Sequence, residues 1–261
     1  MNYRIPRSWL ALLASALLFS LPAHAEKITI AAASDLKFAL DDVVVAYRQA
    51  HQGDEIEVIY GSSGKFHTQV QQGAPYDLFF SADIAFPRQL AEAGFAGSPV
   101  VPYAFGRIVL WSATLDASAL RLEDLAKDAR IRHVAIANPK HAPYGMRAVE
   151  ALQATQQYQA VEPKLVYGEN IAHTAQFVET GNAQVGIIAL ALALNPELAA
   201  KGGYWLIPQE LHEPLEQGFI VTKRAENKQL AHDFAAYMSS PAARAVMTRY
   251  GFVLPEVPAA Q

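Results

Sequence analysis

Residues 27 to 48 read KITIAAASDLKFALDDVVVAYR. Lys27 to Ala33 is a short apolar run of strand character, and Leu36 to Arg48 repeats apolar residues at three- and four-residue spacing, as one face of a helix does. Only the small, polar Ser34 and Asp35 separate the two. A strand passing through one short turn into a helix is the unit of an α/β sheet, and the unit recurs downstream. Glu55 to Tyr60 (EIEVIY) reads as a strand, Phe66 to Gln72 as a short helix, Asp77 to Ala82 (DLFFSA) as a strand and Ala85 to Ala93 as a helix. This order predicts a mostly parallel sheet flanked by helices.

The second half repeats the pattern. Arg107 to Ser112 (RIVLWS) reads as a strand, Leu120 to Lys127 as helical, His133 to Asn138 as a strand and Met146 to Gln153 as a helix. Lys164 to Tyr167 is a strand, Ile171 to Glu179 a helix and Val185 to Ile188 a strand; Tyr204 to Pro208 and Phe219 to Thr222 supply late strands. Asn227 to Met238 and Pro241 to Arg249 close the chain as helices. Two comparable α/β lobes follow: residues 26–106 with 219–261, and an inserted second lobe of residues 107–218. The crossings, and so the hinge, are expected near Ala104 to Ile108 and Gln217 to Ile220. Ligands of open α/β sheets sit at the carboxyl ends of the strands, which here places one in the interlobe cleft.

The N-terminus carries an export signal. Arg4 and Arg7 precede the apolar run Trp9 to Leu21, and Ala23-His24-Ala25 is an A-x-A site, so residues 1–25 read as a secretory signal peptide cleaved after Ala25. The run is too short to span a bilayer comfortably, and no second stretch of spanning length follows. The chain has no cysteine, which excludes disulfides, thiolate sites and a lipid-bearing cysteine. Its net charge is −4, and removing the leader, with two arginines and no acid, makes it more negative. A nucleic-acid partner is therefore not expected. An anion site on such a chain must be enclosed and built from local donors, since a global field is screened within about 10 Å.

Four turns supply such donors. Ala33-Ser34-Asp35-Leu36, Gly61-Ser62-Ser63-Gly64-Lys65, Ala142-Pro143-Tyr144-Gly145 and Glu169-Asn170-Ile171-Ala172 each follow a strand and open a helix. A helix start leaves about four N–H groups without intrahelical partners and carries roughly half a positive charge, so several converging starts hold an oxyanion without a cationic side chain. Each turn alone has a local reading: Ser34 and Asn170 as helix caps, Pro143 as a first-turn proline, the glycines as turn formers. Four together, two per half, favour the cradle.

The segments AAASDLKFAL, YGSSGKF, GAPYDLFFSAD, NPKHAPYGMRAVEAL, YGENIAHTAQFVETGNAQVGIIAL and RYGFVLP, in this order, resemble the periplasmic molybdate-binding proteins of ATP-driven molybdate uptake. The resemblance spans nearly the whole chain after the leader. It implies a two-lobed type II periplasmic binding protein, monomeric and without a cofactor, that captures molybdate or tungstate and delivers it to an inner-membrane ABC permease. It also implies the site: Ser34 and the N–H of Asp35, the hydroxyl and N–H of Ser63, and the N–H groups of Tyr144 and Ile171. Sulfate or phosphate is the alternative cargo.

Two positions depart from the pattern. Asp35 stands where some members have a second serine, and Ala189 where some have a tyrosine that reaches the ligand; the Tyr144 hydroxyl is a candidate replacement. A carboxylate aimed at a dianion in a dry cleft is strongly repelled. Asp35 is therefore expected to turn away and to cap or pair, with Lys37 or Lys65 as candidates. Facing the ligand, it could instead accept the proton of hydrogen phosphate, which a site of donors alone leaves unpaired.

Enzymatic readings are weaker. Gly61 to Phe66 lacks a P-loop's leading glycine, replaced by Ile59, and its magnesium-binding hydroxyl, replaced by Phe66. No G-x-S-x-G elbow occurs, and His212-Glu213 lacks the second histidine of a zinc site. A secreted hydrolase would have to use Ser63 or Ser34 with His67 or His141.

Overall fold

The computed structural model describes residues 26–256, so the expected signal peptide and cleavage site lie outside the described residues. Strand β1 (Lys27–Ala33) is followed by a 3-10 turn, Ser34–Leu36, and helix α1 (Lys37–Ala50). Along α1 the residues Ala39, Leu40, Val43, Val44 and Tyr47 fall on one face and are buried. The helix gives way to a turn in which Gly53 takes φ 105°, open only to a residue without a β-carbon. Then come β2 (Glu55–Gly61), α2 (Ser63–Gln71), β3 (Leu78–Ser81), α3 (Ala85–Glu92) and β4 (Val101–Gly106).

The chain crosses at Arg107 into β5 (Ile108–Ser112). It continues through β6 (Val134–Ala137), α4 (Pro143–Ala154), β7 (Leu165–Gly168), α5 (Ile171–Glu179), β8 (Val185–Ala189) and β9 (Gly203–Leu206). Strand β10 (Leu215–Val221) and helices α6 (Gln229–Tyr237) and α7 (Pro241–Arg249) complete the described chain.

Two five-stranded sheets result, ordered β2-β1-β3-β10-β4 and β7-β6-β8-β5-β9. In the first, β1 pairs parallel with β2 and β3, while β10 pairs antiparallel with both β3 and β4. The second repeats this, with β5 as the reversed strand. In each sheet four strands run one way and only a crossing strand opposes them, so the two sheets are mostly parallel, as the element order predicts.

Packing follows the two-residue period of the strands. In the first sheet Ile28, Ile30, Leu78, Phe80, Phe219 and Val221 face a core with α1 and α6, while Ala31, Phe79 and Ile220 face Phe66 of α2 and Leu90 of α3. The second sheet has its own core, centred on the fully buried Trp111, Ile136 and Ile188.

Three expectations change. Strand β4 is unforeseen because Pro102 removes a ladder donor. It is tolerated because β4 is the sheet's edge strand, with a bulge opposite at Gln217 and Gly218. Strand β10 begins at Leu215, paired with Gly106, so the return crossing lies within residues 207–214 and the expected boundary at 218 falls inside a strand of the first sheet. The expected helix Leu120–Lys127 shrinks to one turn, Asp124–Lys127, with Leu120, Leu122 and Leu125 all buried. There tertiary burial, not helical period, accounts for the apolar residues.

Phe80 lies at the centre of the first lobe, fully buried and stacked on Phe219 at 4.7 Å. Phe80→Ala is expected to cost about 3–5 kcal/mol, read as a lowered denaturation midpoint in urea with an unchanged slope.

Candidate functional site

The four turns converge. Ala33, Ser34, Asp35, Gly61, Ser62, Ser63 and Ala82 of the first lobe face Ala142, Pro143, Tyr144, Asn170 and Ile171 of the second around one small cavity. All five expected site residues are among them, and each is at most 4% exposed. Among the described residues no lysine or arginine lines the cavity.

The local folding explains which donors face inward. Ser63 and Ile171 are the first residues of α2 and α5, and Tyr144 follows Pro143 at the start of α4, so none has an intrahelical acceptor for its N–H. Neighbouring groups are occupied. Gly64 N–H donates to the His141 carbonyl (2.9 Å), Gly145 N–H to the Ala142 carbonyl (3.0 Å), Ala172 N–H to Ser34 Oγ (3.2 Å) and His173 N–H to Asn170 Oδ1 (3.0 Å). Among the described residues no acceptor serves the N–H groups of Ser63, Tyr144 or Ile171. Ser63 Oγ accepts from Ala82 N–H at 3.0 Å, which leaves its own proton to donate.

Of the two expected caps, one differs from its local reading. Asn170 caps α5 as expected, but Ser34 makes no cap bond to its own helix. Its hydroxyl instead donates across the cleft to Asn170 Oδ1 (3.0 Å) and accepts from Ala172 N–H, completing the start of the other lobe's helix.

The Asp35 carboxyl is paired, but not with a lysine. Lys65 pairs with Glu169 of the second lobe. Asp35 Oδ2 accepts from the Tyr144 hydroxyl (2.9 Å) and from Gln217 Nε2 (2.8 Å), and Tyr103 donates to Gln217 Oε1 (2.6 Å). The Tyr144 hydroxyl is thereby committed to Asp35, and the candidate role of replacing a ligand-reaching tyrosine is corrected. Asp35 Oδ1 is buried without a partner. Burial raises the Asp35 pKa to about 6, while Gln217, Tyr144 and the N–H groups of Asp35 and Leu36 pull it down. Burial and the neighbouring Asp35 charge push the Tyr144 phenol well above its ordinary value.

Gln217 and Tyr103 escaped the sequence reading. The available signal was a polar residue inside the apolar run LEQGFIV, whose start lay upstream of the expected strand. Gly106 makes room for the cluster, since a β-carbon there would lie 2.3 Å from Tyr144 Oη and 2.6 Å from Gln217 Nε2.

The hydrolase pairings do not assemble. The Ser–His contact present is Ser62 Oγ to His141 Nδ1 at 2.8 Å, and that serine also donates to the His141 carbonyl. Ser63 is bonded to Ala82 and Ser34 to Asn170. No described helix is long and apolar enough to cross a membrane.

Two lobes joined by paired crossings present unpaired N–H groups from both sides to one small cavity, the architecture of a binding protein. The chain belongs to the family described as bacterial extracellular solute-binding protein, whose model matches residues 28–253; it is a binding protein and not an enzyme. The chain is 34% identical to the molybdate-binding protein ModA of Rhodobacter capsulatus, over 90% of this chain and 91% of the relative. It is 33% identical to ModA of Azotobacter vinelandii, over 97% and 100% of the two chains. The solved Azotobacter vinelandii periplasmic molybdate-binding protein superposes with a TM-score of 0.81 at 29% identity, covering 88% of this chain and all of that one.

Because Asp35 titrates near 6 when folded and near its ordinary 3.8 when unfolded, the folded state binds the proton more tightly. The resulting stabilisation is present below the unfolded value and is lost as pH rises through about 6. Chemical denaturation from about pH 4 to about pH 7 should show this falling component, and Asp35→Asn should remove it. An unchanged slope in the variant would assign the pH dependence to other groups.

Proposed function

We propose that this chain captures molybdate, and tungstate with it, in the cleft between its lobes and delivers the anion to an inner-membrane ABC permease. The protein acts in the periplasm as a monomer, with the anion as cargo and no cofactor. The observation that carries this reading is the convergence of helix starts from both lobes on a cavity without lysine or arginine. Relatives named for molybdate binding match nearly the full chain.

Ser63 hydroxyl and N–H, with the N–H groups of Tyr144 and Ile171, are the donors, and Ser34 joins them by turning its proton from Asn170. The anion thus gathers partners from both lobes and shifts the population towards the closed form, which the permease recognises. A shell of neutral donors suits a fully deprotonated tetrahedral dianion. Hydrogen phosphate carries an O–H that needs an acceptor on burial; Asp35 Oδ2 is taken by Tyr144 and Gln217, which leaves Oδ1 as the one carboxylate oxygen there without a partner. Sulfate has the same charge and shape as molybdate, so discrimination between them rests on cavity size.

Parallel isothermal titrations of the protein lacking residues 1–25, at neutral pH, test this. Molybdate and tungstate should bind one to one, with sulfate and phosphate silent. Sulfate or phosphate binding instead of molybdate would reassign the cargo. Ser63→Ala should weaken molybdate binding by about 1–3 kcal/mol, the range for a hydrogen bond to a charged group, and unchanged affinity would move the site away from α2.

A further inference from the structure

The start of α2 also touches the second lobe directly, at Gly64 and Lys65 beyond the residues that line the cavity and at Ser62 among them. Gly64 N–H donates to the His141 carbonyl at 2.9 Å, Ser62 Oγ donates to the same carbonyl and lies 2.8 Å from His141 Nδ1, and Lys65 pairs with Glu169. These bonds join the Gly61–Lys65 turn to the loops that precede α4 and α5. Opening the cleft separates every one of them, because the two partners of each bond belong to different sheets.

Gly64 decides how close the lobes come. A β-carbon at this position would lie 2.8 Å from the His141 carbonyl oxygen, 3.1 Å from its Cα and 3.2 Å from its Cβ. All three nearest atoms belong to His141, two of them backbone, so neither can swing aside as a flexible side chain would. Within its own lobe Gly64 is an ordinary second residue of a helix, where alanine is favoured over glycine. The sequence thus gives up helix propensity at a place where a methyl group would meet the opposite lobe.

We propose that the Gly64–His141 contact, flanked by Ser62 and by the Lys65–Glu169 pair, is a clasp that sets the residence time of the captured anion without touching it. This rests on the solute-binding reading above and extends it to the contacts between the lobes beside the cavity. The clasp acts on the closed state, so it governs release more than capture: an anion enters an open cleft in which the clasp is unmade. His141 and Gly64 are positioning residues, acting on the anion through the lobes.

Gly64→Ala is the direct test, because it removes no polar group and adds bulk only across the cleft. Release of radiolabelled molybdate, chased with unlabelled molybdate, should quicken by about tenfold or more, with the association rate changed less than about twofold. The melting temperature of the anion-free variant should be unchanged or higher, which separates a lost clasp from a damaged fold. Ser62→Ala should quicken release in the same direction by a smaller factor.

A second readout is independent of the cargo's identity. The chain has no cysteine, so spin labels at Gln72→Cys and Gln153→Cys, both exposed and in different lobes, report the interlobe distance in buffer free of oxyanions. Gly64→Ala should shift that distribution towards longer distances. Release within about twofold of the native rate, with an unshifted distance distribution, overturns the clasp. Failure of the native protein to bind molybdate at all would instead overturn the proposed cargo, and the distance measurement would still decide the clasp.

Discussion

The structure depends on a property of helix ends: the first N–H groups of a helix have no partner within it. Elsewhere in a protein such groups are satisfied by caps or water. Here three of them, at Ser63, Tyr144 and Ile171, face one small cavity, while their neighbours are paired by serine, asparagine and carbonyl groups. Alignment of the helix dipoles on the same point adds a positive potential without any mobile cation. A dianion held this way exchanges its hydration shell for fixed donors, and selectivity follows from shape because the donors cannot follow a ligand of another size.

Such a site is divided between the lobes, so that an anion bound there would gather donors from both. Ser34 illustrates the coupling. Its hydroxyl leaves its own helix uncapped and completes the start of α5 in the other lobe, so it belongs to the closed arrangement rather than to either half. Asp35 belongs there too. Its buried carboxyl, with no cation beside it, is held by a tyrosine from the second lobe and an amide from the return strand, next to Gly106 at the first crossing. A charge in that position would be costly unaided, and the two donors offset part of the cost.

Much of this was legible in the chain. Strand and helix periods gave the order of the elements and the two-lobed repeat, and the small polar residues between them marked the four turns. All five expected site residues meet at one cavity because each sits where a strand hands over to a helix, a position that local pattern alone defines. What pattern did not give were the features that depend on a neighbouring strand. Strand β4 is admitted by its place at the sheet edge despite Pro102, and β10 begins four residues before Phe219 because Leu215 finds Gly106 opposite.

The partners of the site residues were equally hidden. Gln217 reaches Asp35 across 182 positions and Ser34 reaches Asn170 across 136, and no local period records contacts so distant in the chain. The expected lysine partners of Asp35 were near in sequence, whereas the actual ones are near only in space. The sequence by itself determined the elements, the turns and the neutral chemistry of the donors, because those follow from side-chain period and helix ends. Only the tertiary structure decided which donors remain free, where Asp35 points and how closely the lobes meet, because each is settled by what the other lobe places opposite.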